Sequence, residues 1–158
     1  VAQLGLVARL LAPAVAAAAA GDALDLRPHA LWWQDDLGGV YPLSVTRGAA
    51  ELHGSAVERL TDLIGARYGV PVRTRWGNVA SAVNSAANQI AAARPDLEPK
   101  ARTAADRFLA DPRLDGGVLR SGPAFRRRSC CLIYRAAGNR VAVCGDCVLT
   151  GATGTPIA

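Results

Sequence analysis

The first twenty residues, Val1 to Ala20, are almost wholly apolar, and Leu4, Val7, Leu11 and Ala14 recur at the spacing of one helical face. This pattern predicts a buried core helix, kinked or divided by Pro13. Arg9 inside the stretch and the lack of a basic leader argue against a signal peptide. Arg9, Pro13 and the abundance of alanine argue against a membrane span. Residues 30–33 and 40–45 then read as two strands joined by residues 34–39, with Pro42 suited to an edge. The Trp32-Trp33 pair between them is expected to pack.

A second helix is predicted from Ser55 to Tyr68, with Val57, Leu60, Ile64 and Tyr68 inward, ending at Gly69-Val70-Pro71. Asn78 is placed to cap a third helix over residues 79–93, whose apolar stripe is Ala80, Val83, Ala87 and Ile90. The opposite face, Ser81, Asn84, Ser85 and Asn88, reads as solvated surface. Arg94-Pro95 breaks that helix, and Asp96 caps the next, with Leu97, Ala101, Ala104 and Phe108 inward before Asp111-Pro112. Residues 131–135 and 140–144 read as a last hairpin around Ala136-Ala137-Gly138-Asn139. The expected fold is α+β: a mainly helical single domain with short β-hairpins, the C-terminal one carrying cysteines, and a frayed tail over residues 150–158.

Composition sharpens this picture in two places. Apolar residues make up 51% of the chain and aromatics only 5%, so alanine fills much of the core and implies closely approaching helices. The formal charge is +5, but the 18 basic residues are spread widely, and no helix-turn-helix with a basic recognition helix is visible. A regulator that binds DNA is therefore a secondary reading. No G-x-G-x-x-G dinucleotide fingerprint is present.

The candidate chemistry lies in four cysteines, Cys130-Cys131 and Cys144-Gly145-Asp146-Cys147, the only ones in the chain. Four soft ligands within eighteen residues suit zinc or an iron–sulfur cluster. A zinc ribbon uses two C-x-x-C-like knuckles, and only the second half here is one. Ferredoxin spacings differ, and a Rieske centre needs histidines, whereas His29 and His53 lie far upstream. A hairpin loop at Ala137-Gly138 would set Cys131 opposite Cys144; one at Gly138-Asn139 would set Cys130 opposite Cys147. Cys130 and Cys131 can serve one centre only where the strand ends or bulges, because neighbouring strand residues point to opposite faces. Paired disulfides suit a small secreted scaffold better than this core-rich domain. Structural zinc remains the stronger rival to a cluster.

Residues 126–134, Arg-Arg-Arg-Ser-Cys-Cys-Leu-Ile-Tyr, with Cys144-Gly-Asp-Cys-Val-Leu149, resemble the C-terminal signature of FhuF-type ferric siderophore reductases. Residues 76–81, Trp-Gly-Asn-Val-Ala-Ser, are similar to that family's Trp-Gly-Asn-x-x-Ser segment. The resemblance extends over residues 1–149, with only the cysteine motif specific, and places the cluster motif at residues 126–149. The gap between pair and knuckle is twelve residues here, against a usual ten, which fits a longer loop.

What the resemblance implies is a [2Fe–2S] cluster on Cys130, Cys131, Cys144 and Cys147. It also implies an iron-chelate oxidoreductase that reduces siderophore-bound Fe(III) by one electron and releases Fe(II) in the cytoplasm. Such chemistry needs no catalytic residue beyond the cluster. Resemblance and charge together make Trp76, Asn78, Arg126, Arg127 and Arg128 candidates for contact with substrate or redox partner. The expected partners are a ferric siderophore (hydroxamate or similar), a separate donor such as a ferredoxin, flavodoxin or flavoprotein reductase, and peripherally the membrane surface. Nucleic acid is not expected. The alternatives are a zinc- or cluster-binding regulatory protein and an electron-transfer subunit of a larger assembly.

Overall fold

A computed structural model describes residues 2–34, 43–115, 118–120, 125–139 and 141–149. The predicted joining loop and Pro42, Arg140 and the 150–158 tail lie mostly or wholly outside these residues. Helix α1 (Ala2–Ala19) runs through Pro13 as one element, so the expected division does not occur. Proline removes one backbone donor, and the apolar face on either side holds the helix against its neighbours. Val7, Leu11, Ala14 and Val15 are fully buried. Among the described residues α1 is the helix long and apolar enough to cross a membrane, and in this fold it serves as a core helix.

Strands β1 (Leu31–Trp33) and β2 (Leu43–Val45) pair antiparallel, Leu31 opposite Val45. Trp32 and Trp33 do not pack inward as expected; both are more than half exposed. A three-residue ribbon has no second layer to cover either face. Helix α2 (Ala56–Tyr68) starts at Ser55, whose Oγ accepts from the Glu58 N–H at 3.2 Å, and ends at Gly69 with φ +62°. Val57 and Thr61 are its buried residues, while Tyr68, expected inward, is exposed at the last turn.

Helix α3 (Val72–Ala93) begins at Pro71, several residues before the predicted start. Asn78 is therefore no cap; it lies mid-helix and is buried. Gly77 lies inside the helix, where its missing Cβ leaves space. A Cβ there would overlap the Ser129 hydroxyl and come within 3.3 Å of the Arg127 Nη2. After a single 3-10 turn at Pro95–Leu97 comes α4 (Glu98–Leu109), then the short α5 (Pro112–Asp115). Asp96 does not cap α4 but pairs with Arg94 at 2.6 Å. Ala101, Ala104, Ala105 and Phe108 of α4 are buried as predicted. Helices α1, α3 and α4 form the core, and Ala14, Ala19, Ala80, Ala87, Ala101 and Ala104 let them approach closely.

A second ribbon, β3 (Val118–Arg120) with β4 (Arg126–Arg127), leads into the cysteines. The predicted cysteine hairpin is not formed. Residues 133–136 are a short helix, α6 (Ile133–Ala136), and no strand is assigned at 141–144. The reversal is made instead by Leu132, in the left-handed region at φ +60°, and by Gly138 at φ +63°. The fold class stands as α+β and mainly helical; the ribbon precedes the cysteines rather than carrying them.

Leu11 has no exposed surface and sits in the middle of the core. Leu11→Ala should cost about 2–5 kcal/mol, the usual range for a buried leucine whose cavity cannot collapse. Urea unfolding should show the loss in the midpoint at unchanged m-value.

Candidate metal centre

The chain turns tightly around each pair of thiols. The Leu132 N–H donates to Cys130 Sγ at 3.3 Å, and the Leu149 N–H donates to Cys147 Sγ at 3.3 Å. The knuckle closes through the Cys147 N–H to the Cys144 carbonyl at 3.1 Å. Leu132 holds a conformation that costs a non-glycine residue on the order of 1–2 kcal/mol, the kind of strain that accompanies functional turns. Cys131 and Cys147 are buried, while Cys130 and Cys144 are half-buried. All four are free thiols.

Among the described residues, no three His, Cys, Asp or Glu side chains converge to hold one metal ion. The thiols adjoin instead across the two motifs. Cys131 and Cys144 share a side-chain hydrogen bond, and Cys130 feels Cys147 most strongly among the other thiols. Four thiols brought near one another across the two motifs supply the ligand number that either a binuclear iron–sulfur centre or a tetrahedral ion would use. Burial pushes the Cys144 thiol up to about 12, reinforced by the Cys131 hydrogen bond; burial also raises Cys130. Iron binding there would displace thiol protons.

The Arg126-Arg127-Arg128 run is not one solvated face. Arg128 is exposed and Arg126 half-buried, its Nη2 donating to the Cys147 carbonyl at 2.5 Å. Arg127 is fully enclosed. Its Nη2 donates to Asn78 Oδ1 at 2.8 Å and to Ser129 Oγ at 3.4 Å, and its backbone N–H to the Asp146 carbonyl at 3.2 Å. Asn78 Nδ2 in turn donates to Gln3 Oε1 at 2.7 Å, and Gln3 Nε2 to Thr61 Oγ1 at 3.3 Å. A buried polar relay thus runs from α2 and α1 through α3 to the arginine before the cysteines.

Asp146 is held by the same helix. Ser81 Oγ donates to its carboxylate, and Asn84 also bonds to it. Burial raises the Asp146 pKa, while Ser81, Arg127 and Asn84 pull it down. Ser81 and Asn84, expected to be solvated, are both buried; Asn88 alone of that expected face is exposed. The sequence held a signal for this. From Trp76 to Ala93 helix α3 carries no charged residue, whereas a solvated helix face normally does. Gln3, Gly77 and Ser129 were not singled out, and only Gly77, at a Gly-x-x-x-Ser spacing with Ser81, left any trace.

Three expected contact residues are withdrawn from the surface. Trp76 is buried under Arg113, whose guanidinium carbon lies 4.5 Å from the ring centroid, so it packs rather than presents a platform. Asn78 and Arg127 are enclosed in the relay. A cavity of about 750 Å³, lined in part by Ala18, Asp22, Glu51, Leu52 and Phe108, is touched by none of the cysteines.

Residues 127–149 match the family model described as FhuF 2Fe-2S C-terminal domain. The match opens on Arg127 and spans all four cysteines. No curated protein and no solved structure matches the chain. The cofactor of this segment is a [2Fe–2S] cluster.

Asn78 needs both its amide oxygen and its amide nitrogen in this position. Asn78→Ser, harmless at a helix cap, should here remove the amide acceptor of Arg127 Nη2 and the donor to Gln3 Oε1 and cost about 1–3 kcal/mol. Thermal unfolding should register this as a drop of several degrees.

Proposed function

We propose that this protein is a [2Fe–2S] ferric-siderophore reductase, holding its cluster through Cys130, Cys131, Cys144 and Cys147. The observation that carries the proposal is the coincidence of the 2Fe-2S family match with four reduced thiols that adjoin in two pairs. When bound, the cluster supplies a one-electron couple. The protein supplies position and electrostatics. The Leu132 and Leu149 N–H groups stabilise thiolate charge on Cys130 and Cys147.

Around the half-buried Cys130 and Cys144, the chain offers exposed Leu132, Val141 and Leu149 with the exposed Arg128. An apolar rim with one cation suits a bulky chelate bearing anionic oxygens around ferric iron, or an acidic donor protein. Of the candidate contacts, this assigns Arg128 and the edge of Arg126 to partners. Ferrous iron is a far weaker ligand acceptor for hydroxamate oxygens than ferric iron, so transfer of one electron to the chelate is itself the release step. The proposed setting is the reducing cytoplasm, where thiols stay reduced and can take up iron. Electrons would come from a ferredoxin, flavodoxin or flavoprotein reductase.

Anaerobically purified protein should carry two irons and two sulfides per chain and give a paramagnetic signal after dithionite reduction. Cys131→Ser and Cys147→Ser should lose most of that iron. Mixing the reduced protein with a ferric hydroxamate should reoxidise it in one-electron stoichiometry, with ferrous iron trapped by a ferrous chelator. A cluster-bearing protein inert to ferric chelates would instead be an electron-transfer subunit. One zinc per colourless chain, with cluster loss excluded, would replace the redox reading by the regulatory one.

A further inference from the structure

Arg127 is, among the described residues, the largest side chain with no exposed surface. Its guanidinium is only partly used. The Nη2 edge faces α3, bonding Asn78 and Ser129 and reaching the Thr74 carbonyl at 3.5 Å. Nε and Nη1 are both buried and have no hydrogen-bond partner. Buried donors are rarely left unpaired, and a buried charged one is the costliest case. The nearest carboxylate, Asp146, accepts from Ser81 and Asn84 instead.

The setting of this side chain is specific. Gly77 leaves out the Cβ that would crowd it, at 3.3 Å from Nη2 and 3.5 Å from Nε. Asn78 and Gln3 fix its orientation from the far side. Its positive charge is felt at Cys130 and Cys144, where it works against the rise that burial imposes. A cation so held keeps an unused donor, and the Asp146 carboxylate that also feels its charge is hydrogen-bonded elsewhere.

We propose that Arg127 is a positioning residue for the cluster, its Nε and Nη2 edge set against α3 and its uncommitted Nη1–H donating to sulfur at the centre that the four cysteines form. This rests on the cluster reading above. Four thiolates, two ferric ions and two sulfides sum to about −2, and one added electron makes about −3. A fixed buried cation stabilises the more negative state more, so Arg127 favours the reduced form. Its Nη2 bonds to α3 also tie the cysteine segment to the core in a single orientation.

The test uses the holoprotein, in wild-type, Arg127→Met and Arg127→Lys forms, each titrated anaerobically with redox mediators and followed by EPR. At the potential where the wild type is half reduced, the reduced-to-oxidised ratio in R127M should be at least tenfold lower, a midpoint lower by about 59 mV for one electron. R127K keeps the charge and loses the forked donors, so its ratio should fall between the two. A merely structural arginine would alter melting temperature and iron content without moving the potential. R127M that retains iron and sulfide and titrates within twofold of the wild type overturns the inference. If R127M does not load, R127K decides, and a wild-type potential in it overturns the donor role. A wild-type protein that holds zinc in place of two irons and two sulfides overturns the cluster reading itself, before any variant is compared.

Discussion

A guanidinium with no exposed surface is the constraint around which the C-terminal third of this protein is built. Removing such a charge from water carries a penalty of several kcal/mol unless surrounding groups replace its hydration. Here its hydrogen-bond acceptors among the described residues are neutral, an amide oxygen, a hydroxyl and a carbonyl at 3.5 Å, and the Asp146 carboxylate acts on it through charge alone. They orient Arg127 without cancelling its charge. Neutral thiols do not cancel it either, whereas four thiolates around iron do. Cofactor and arginine therefore solve each other's problem, since each is a buried charge that needs the other. Cluster assembly and closure of the segment from Arg126 to Leu149 become one thermodynamic event.

Helix α3 makes that solution available because it is buried on more than one side. Val79, Val83 and Ala87 belong to the core shared with α1 and α4. Gly77, Asn78, Ser81 and Asn84 face polar partners: Ser129, Arg127 and Asp146. The two functions need different residue types on one rod, and the small side chains let both sheets of contacts come close. Anchoring through α3 also explains why Gln3, at the start of the chain, matters to the cysteines near its end. Its amide is the outer clamp on Asn78.

Much of this was legible in the residues. Periodicity located α1, α2 and α4 and most of their buried positions, because a single apolar face leaves a clear 3.6-residue signature. It failed where a helix is buried twice. The polar face of α3 looked like surface, since hydrophilic side chains satisfied by buried partners and by water are alike in sequence. Gly77-Asn78 looked like a helix start for a related reason: propensity marks glycine as a breaker, and only tertiary contact reveals that a missing Cβ admits Ser129 and Arg127. The cysteine motif was readable in the sequence, and residues 127–149 match the FhuF 2Fe-2S C-terminal domain model. The motif's backbone was not readable. Residues 131–135 carry a strand-like composition, but the left-handed turn at Leu132 overrides it, and no local signal demands φ +60° from a leucine. Within the arginine run no local signal separates Arg127, which is enclosed, from Arg128, which is exposed.

The site has an inside and an outside. Cys131 and Cys147 are buried against the domain, and Cys130 and Cys144 border the surface. Arg127 approaches from the domain side and Arg128 stands in solvent. Electron exchange weakens steeply with distance, so a donor and a ferric chelate would both need the Cys130–Cys144 edge. Two partners that need one small edge cannot occupy it together. Under the proposed function the two partners would alternate: reduction by one, departure, and oxidation by the next. The buried cation suits that sequence, because it holds the reduced state between the two encounters without exposing a charge that would bind either partner too long.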